Sequence, residues 1–176
     1  MKSYASALAL CLLGLSAFSM AEAQKAPVKT TKATKKPAAA PVAAAPAPPV
    51  DGAKVFATTC AACHQVSGDG LEDKYPPLNG SEWVTGDEAK LIRIIMHGLT
   101  GPVDVAGQTF DGAMPAWGVV LKDPEIAAVA TYVRSAWGNK AAPITSSSVT
   151  AIRSATKTRQ TPWTAPEIAR LPATVR

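Results

Sequence analysis

Cysteine is scarce in this chain, with three among 176 residues, and aromatic residues make up only 6 % of it. So few cysteines exclude the disulfide frameworks that staple small exported domains. Charged residues are also sparse, at 18 %, and acids are missing altogether between Gln24 and Val50. No run alternates apolar and polar residues for long enough to read as a strand of a large sheet. What the chain does have in excess is Ala and Pro, and that excess is local. The chain has room for one domain with appendages.

The formal charge of +5 is a sum of unlike parts. Residues 1–23 hold Lys2 against Glu22 and cancel, and residues 24–50 hold five Lys and no acid. Between 51 and 140 there are seven basic and eleven acidic residues; between 141 and 176, five basic residues face Glu167 alone. An acidic middle with basic extensions argues against a nucleic-acid partner, which needs positive charge on the folded face.

The N-terminus carries Lys2, an apolar stretch from Tyr4 to Met20, and then Ala21-Glu22-Ala23. That is the pattern of a secretory signal peptide over 1–23, cut before Gln24, and it implies a periplasmic protein. The alternative is an uncleaved anchor tethering the chain to the inner membrane, because the apolar run approaches the length that spans a bilayer. Cys11 lies inside the run and leaves with it, so the exported chain keeps Cys60 and Cys63. Residues 24–50 are an Ala/Pro/Lys-rich linker, in which repeated Pro removes backbone donors.

The domain proper spans 51–140. Asp51 is a plausible N-cap for a helix through Gly52, Phe56 and Cys60. Residues 65–80, with Gly68, Gly70, Pro76, Pro77 and Gly80, read as an irregular loop. A second helix spans Asp87 to Gly98, apolar around much of its circumference through Leu91, Ile92, Ile94 and Ile95. Turn residues return from Thr100 to Gly118, with room for a short hairpin around Val103 to Phe110. A third helix is capped by Asp123, opened by Pro124 and stopped by Gly138; its stripe is Ile126, Val129, Ala130, Val133 and Trp137. The expected class is therefore all-α. Residues 141–176 form a C-terminal extension. Ser146–Ser148 can cap a short helix through Val149, Ile152 and Arg153, and Pro162-Trp163 with Pro166 mark a wrapping segment. Trp163 is the residue that separates a docked tail from a free one.

The chemistry is concentrated in C-A-A-C-H, Cys60 to His64. Two thiols three residues apart lie within one helical turn and can both add to the vinyl groups of one haem edge, with His64 beneath the iron as an axial ligand. A structural zinc site needs four ligands, and only His97 remains as another nitrogen donor. A thioredoxin-like pair would follow a strand in a βαβ unit, which the pattern lacks. A disulfide between the two cysteines would make no use of His64. One covalent haem c is the expected cofactor.

The sixth iron ligand is sought among Met and His. Met114, in G-A-M-P-A-W-G, sits in a turn suited to hold a thioether against the haem; Met96 and His97 are the other donors, on the buried-type helix. A Met/His pair leaves no vacant position and suits outer-sphere electron transfer. Pro76 or Pro77 can accept the proton-bearing nitrogen of His64, since proline offers a carbonyl and no N–H.

Together these residues resemble class I c-type cytochromes over Asp51 to Asn139. Gly52 and Phe56 stand before Cys60 as in the N-terminal helix of that family, and Tyr132 stands where the family packs an aromatic against that glycine. Pro76-x-Leu78 resembles its proximal loop and Met114-Pro115 its distal ligand loop. The resemblance implies three main helices around a covalently attached haem, with the tail as an addition. S-E-W-V-T-G, I-M-H-G-L-T-G-P, Y-V-R-S-A-W-G-N and V-T-A-I-R are similar, more narrowly, to haem domains in cytochrome subunits of periplasmic quinoprotein and flavin dehydrogenases. This implies a monohaem carrier of single electrons, with a dehydrogenase or terminal oxidase as donor and acceptor, or a dedicated dehydrogenase subunit. An enzyme in its own right, such as a peroxidase, would want a second haem, and there is one C-x-x-C-H.

Overall fold

A computed structural model describes residues 49–172. The expected signal peptide, Cys11 and the linker as far as residue 48 lie outside the described residues. Helix α1 (Gly52–Thr59) begins where the Asp51 carboxylate accepts from the N–H groups of Ala53 and Lys54. A four-residue turn, α2 (Ala61–His64), follows directly, and another, α3 (Glu82–Thr85), comes after a long loop. Helix α4 (Glu88–His97) is capped in the same way by Asp87 and stopped at Gly98. Six of its ten residues are buried, from Ala89 to Met96, which makes it the central helix of the core.

The described residues are mainly helical, as expected, and the all-α class is corrected only by a small β-hairpin of strands β1 (Leu99–Val105) and β2 (Gln108–Met114). They pair antiparallel from Leu99↔Met114 to Val105↔Gln108, well beyond the short hairpin expected around Val103 to Phe110. The two-residue turn is Ala106-Gly107, with φ of 51° and 81°, the left-handed pair that matches strand twist. Ala tolerates that φ poorly. The Glu82 carboxylate offsets the cost by accepting from the Ala106 N–H at 3.1 Å, and Trp83 Nε1 donates to the Asp104 carbonyl at 2.8 Å. Glycine and proline inside β1 (Gly101, Pro102) and glycine inside β2 (Gly112) hide the strands from a pattern reading.

Helix α5 (Asp123–Ser135) starts one residue earlier than expected, with Lys122 as N-cap and Asp123 as its first residue. The Glu125 carboxylate accepts from the Lys122 N–H at 2.8 Å and closes that end. At the other end the helix stops at Ser135, not at Gly138. Trp137 instead takes φ +54° and places its ring against Phe56 and Tyr132, at centroid distances of 5.1 and 5.5 Å. Gly52 is needed where α1 meets α5: a Cβ there would lie 2.1 Å from the Ala128 carbonyl oxygen.

Beyond Asn139 the chain turns back over the core as α6 (Ser146–Ala155) and α7 (Ala165–Arg170). Ile144 and Val149 bury themselves among the same residues as Phe56, Ile92 and Ile126. Trp163 is 8 % exposed and packs with Ile94 and Ile168. Its backbone pairs alongside Leu99 as an isolated parallel bridge on β1.

Candidate functional site

The C-A-A-C-H run occupies the break between α1 and α2. Cys60 closes α1 by donating its N–H to the Phe56 carbonyl at 2.9 Å. Its own carbonyl then accepts from Cys63 at 3.1 Å and from His64 at 3.0 Å, so one tight turn carries both thiols and the imidazole. The two cysteines are not joined to each other. Burial pushes the Cys60 thiol up, with a smaller push from Cys63, against the hydrogen bond to the Thr59 hydroxyl.

His64 is oriented by one contact. Its Nδ1 lies 2.9 Å from the Pro76 carbonyl oxygen. A carbonyl can only accept, so Nδ1 carries the proton. Burial holds the ring below the usual imidazole pKa, opposed in part by the Pro76 bond. The ring is therefore neutral at pH 7, and Nε2 is left with a free lone pair, the form in which histidine binds a metal. Of the two prolines that the sequence offers, the structure brings Pro76 to the ring.

The loop that presents Pro76 is held from the far side by Asn139, which sequence reasoning missed. This side chain, 6 % exposed, donates to the Leu78 and Val133 carbonyls at 3.0 and 2.7 Å and accepts from Gly80 N–H at 2.9 Å. Within the loop, Gly68 accepts from Leu78 and Asn79. No local motif announces such a residue, because its partners are backbone groups that any sequence supplies.

Met114 comes from a different element, at the end of β2. It is half-buried, and it lines the same cavity as Cys60, Cys63 and His64. The other donors do not. Met96 is 3 % exposed inside the core, and His97 Nε2 is engaged with the Thr156 hydroxyl at 2.7 Å. The residues after Met114 are tied to α4 through Trp117 N–H on the Ile95 carbonyl and Gly118 N–H on the Met96 carbonyl, both at 3.0 Å.

Cys60, Cys63, His64 and Met114 line one cavity that opens to solvent. Its walls are overwhelmingly apolar: Leu91 and Ile95 from α4, Val129 and Val133 from α5, and Val103 and Phe110 from the hairpin. The hairpin wall has a gap built into it. Gly101 and Gly112 are cross-strand partners on the cavity side, and a Cβ on either would meet no protein atom within 4 Å. Such a cradle, beside two unpaired thiols and a neutral imidazole, fits a large flat apolar group with a metal at its centre.

Comparison with known families agrees: the family model described as cytochrome c matches residues 49–137, half of the chain. The chain belongs to the cytochrome c family. Its cofactor is a covalently bound haem c, and its function is electron transfer. Cytochrome c-552 of Thermus thermophilus is 41 % identical over 93 residues, which is 51 % of this chain and 70 % of that protein. The gluconate 2-dehydrogenase cytochrome c subunit of Pantoea cypripedii is 37 % identical over 108 residues, 58 % of this chain and 24 % of that subunit. The fructose dehydrogenase cytochrome subunit of Gluconobacter japonicus is 34 % identical over 114 residues, 61 % of this chain and 23 % of that subunit. The chain thus spans about a quarter of the dehydrogenase subunits it matches.

Proposed function

We propose that this cytochrome carries single electrons in the periplasm on one haem c whose iron is ligated by His64 and Met114. One observation carries the reading: His64 and Met114, far apart in the chain, line a single apolar cavity with both thiols of the C-A-A-C-H run. Cys60 and Cys63 would hold the haem covalently, Nε2 of His64 and the thioether of Met114 would take the axial positions, and Pro76 orients His64. When bound, haem c supplies a one-electron couple. The protein's part is to tune it: the neutral thioether and the apolar walls disfavour the more positive oxidised form and so raise the potential. With His64 and Met114 both holding the iron, no ligand position would be left for a substrate, which suits an electron carrier rather than an enzyme in its own right.

The apolar stretch from Tyr4 to Met20 followed by Ala21-Glu22-Ala23 supports export to the periplasm. Donor and acceptor are redox proteins of the dehydrogenase or terminal-oxidase kind. Met114→Ala in the haem-loaded protein is expected to lower the reduction potential and to abolish the weak far-red absorption of a thioether-ligated ferric haem. A variant with unchanged potential and spectrum would show that Met114 is not a ligand. The likeness to gluconate and fructose dehydrogenase cytochrome subunits favours a second reading, a dedicated subunit of a periplasmic dehydrogenase complex. Co-purification with a quinoprotein or flavoprotein, lost on deleting 141–176, distinguishes a subunit from a diffusing carrier.

A further inference from the structure

We propose that the segment after Asn139 is a positioning device for Met114: it grips, from outside the cavity, the chain on both sides of that residue. The inference rests on Met114 being the iron ligand.

On the side before the hairpin, the grip is made by Trp163. Its N–H donates to the Gly98 carbonyl at 3.0 Å, and its carbonyl accepts from the Thr100 N–H at 2.8 Å. These two bonds bracket Leu99, which stands directly opposite Met114 in the hairpin. The buried Trp163 ring packs in a cluster to which both Leu99 and Met114 contribute. On the side after the hairpin, the grip is made by Arg153. Its Nη1 donates to the Gly118 carbonyl at 2.6 Å, its Nη2 to the Leu121 carbonyl at 3.0 Å, and its Nε to Asp123 at 2.6 Å. One rigid guanidinium thus ties the end of the Met114 loop to the first turn of α5.

Both gripping residues are themselves held. Arg159 lies 3.4 Å from the Trp163 ring centroid and pairs with Glu167 at 3.0 Å. Thr164 and Glu167 cap α7 reciprocally. Helix α6, which carries Arg153, is fixed by fully buried Val149, by Thr150 on Asp123, and by Thr156 on His97. The loop so gripped is also tied inward to α4 through Trp117 and Gly118, while Val119 and Val120 on its outer face are 89 % and 65 % exposed. A thioether is a weak, neutral ligand, so its residence depends on where the backbone keeps it. Freeing either arm raises the population in which the loop has moved away.

The test uses the full-length, haem-loaded chain with Arg153→Met, Trp163→Ala and Trp163→Phe. Trp163 Nε1 has no hydrogen-bond partner, so Trp163→Phe keeps the backbone bonds and most of the packing and is expected to match the wild type. Arg153→Met and Trp163→Ala are expected to lose the far-red thioether absorption on heating before far-UV circular dichroism reports loss of helix. They should also bind added imidazole in the ferric state about tenfold more tightly, because apparent affinity follows the open fraction. Unchanged far-red absorption, imidazole affinity and potential in both, with only a lower overall melting temperature, would mean a merely structural role and overturn the proposal. Met114→Ala is the control that separates the two failures. If it keeps the far-red absorption, the ligand reading fails and this inference with it; if it loses the absorption while both tail variants match the wild type, only the positioning role fails.

Discussion

A Cβ on Gly98 would lie 2.3 Å from the carbonyl oxygen of Met114. Gly98 also takes φ +79°, so this one residue both ends α4 and lets the backbone of Met114 close against it. Alanine here meets two penalties, the left-handed backbone and the contact. Gly98→Ala is expected to destabilise the loaded protein by about 2 kcal/mol or more. It should also weaken the far-red thioether absorption in the same sample. Chemical denaturation and visible spectroscopy read the two effects, and a change in stability alone would detach Gly98 from the ligand loop.

The gap in the hairpin wall makes a different prediction. Gly112 has an ordinary backbone, and a Cβ there meets nothing within 4 Å, so a larger side chain is excluded only by whatever occupies the cavity. Gly112→Val is therefore expected to leave the hairpin intact yet lower the yield of haem-loaded protein, measured as haem per polypeptide. A fully loaded variant with an unshifted spectrum would show that the cradle is not used.

Arg134 is 2 % exposed and donates to the carbonyls of Ala142, Val84 and Gly86, at 2.8, 2.7 and 2.9 Å. It ties α5 to α3, to the residue just after α3, and to the start of the C-terminal segment. Methionine would fill much of the same volume but remove the donors from the buried Val84 carbonyl and from the partly buried carbonyls of Gly86 and Ala142. A loss of about 3 kcal/mol or more is expected for Arg134→Met, against little change in the visible spectrum. Equilibrium unfolding in urea measures the first, absorbance the second.

His97 sets a pH window. Burial holds its pKa below 6.5, and Arg159, Arg153 and Arg93 push the same way. The unfolded chain therefore binds the proton more readily, so stability is greatest above pH 6.5 and falls as pH drops through that value. Asp123 is held below 3.8, chiefly by Thr150, and Glu167 below 4.5 by Thr164; their contributions are lost only at lower pH. In the haem-loaded protein, where the proposed ligation would remove His64 from titration, His97→Gln is expected to flatten the fall in stability below pH 6.5. An unchanged slope would place the titration elsewhere.

Helix ends set by short-range chemistry were legible from sequence. Asp51, Asp87 and Gly98 do at α1 and α4 what their residue types suggest. The α5 boundaries were displaced because Glu125 closes the helix one residue early and Trp137 leaves it to join Phe56 and Tyr132. The hairpin was underestimated because its inner face alternates bulk with absence, Leu99, Gly101, Val103 against Met114, Gly112, Phe110, and absence reads as a turn. The C-A-A-C-H run and Met114 stood out in the sequence because of their side-chain chemistry, and the structure brings them to one cavity. Asn139, Arg134 and Arg153 were not, because each binds backbone carbonyls, and those are the same in every sequence.

The match to the cytochrome c family model ends at residue 137, but burial does not. Ile144, Val149, Trp163 and Ile168 lie beyond that point at 8 % exposure or less. The line drawn by the family model and the line drawn by folding are therefore different lines in this protein. A fragment trimmed at the family boundary would expose the outer flanks of α4 and α5 to water. It would not be a smaller version of the same cytochrome. The natural unit for transplanting this haem pocket into another chain runs from Asp51 to α7, with the added segment carried along as an outer support of the helices and hairpin that wall the cavity.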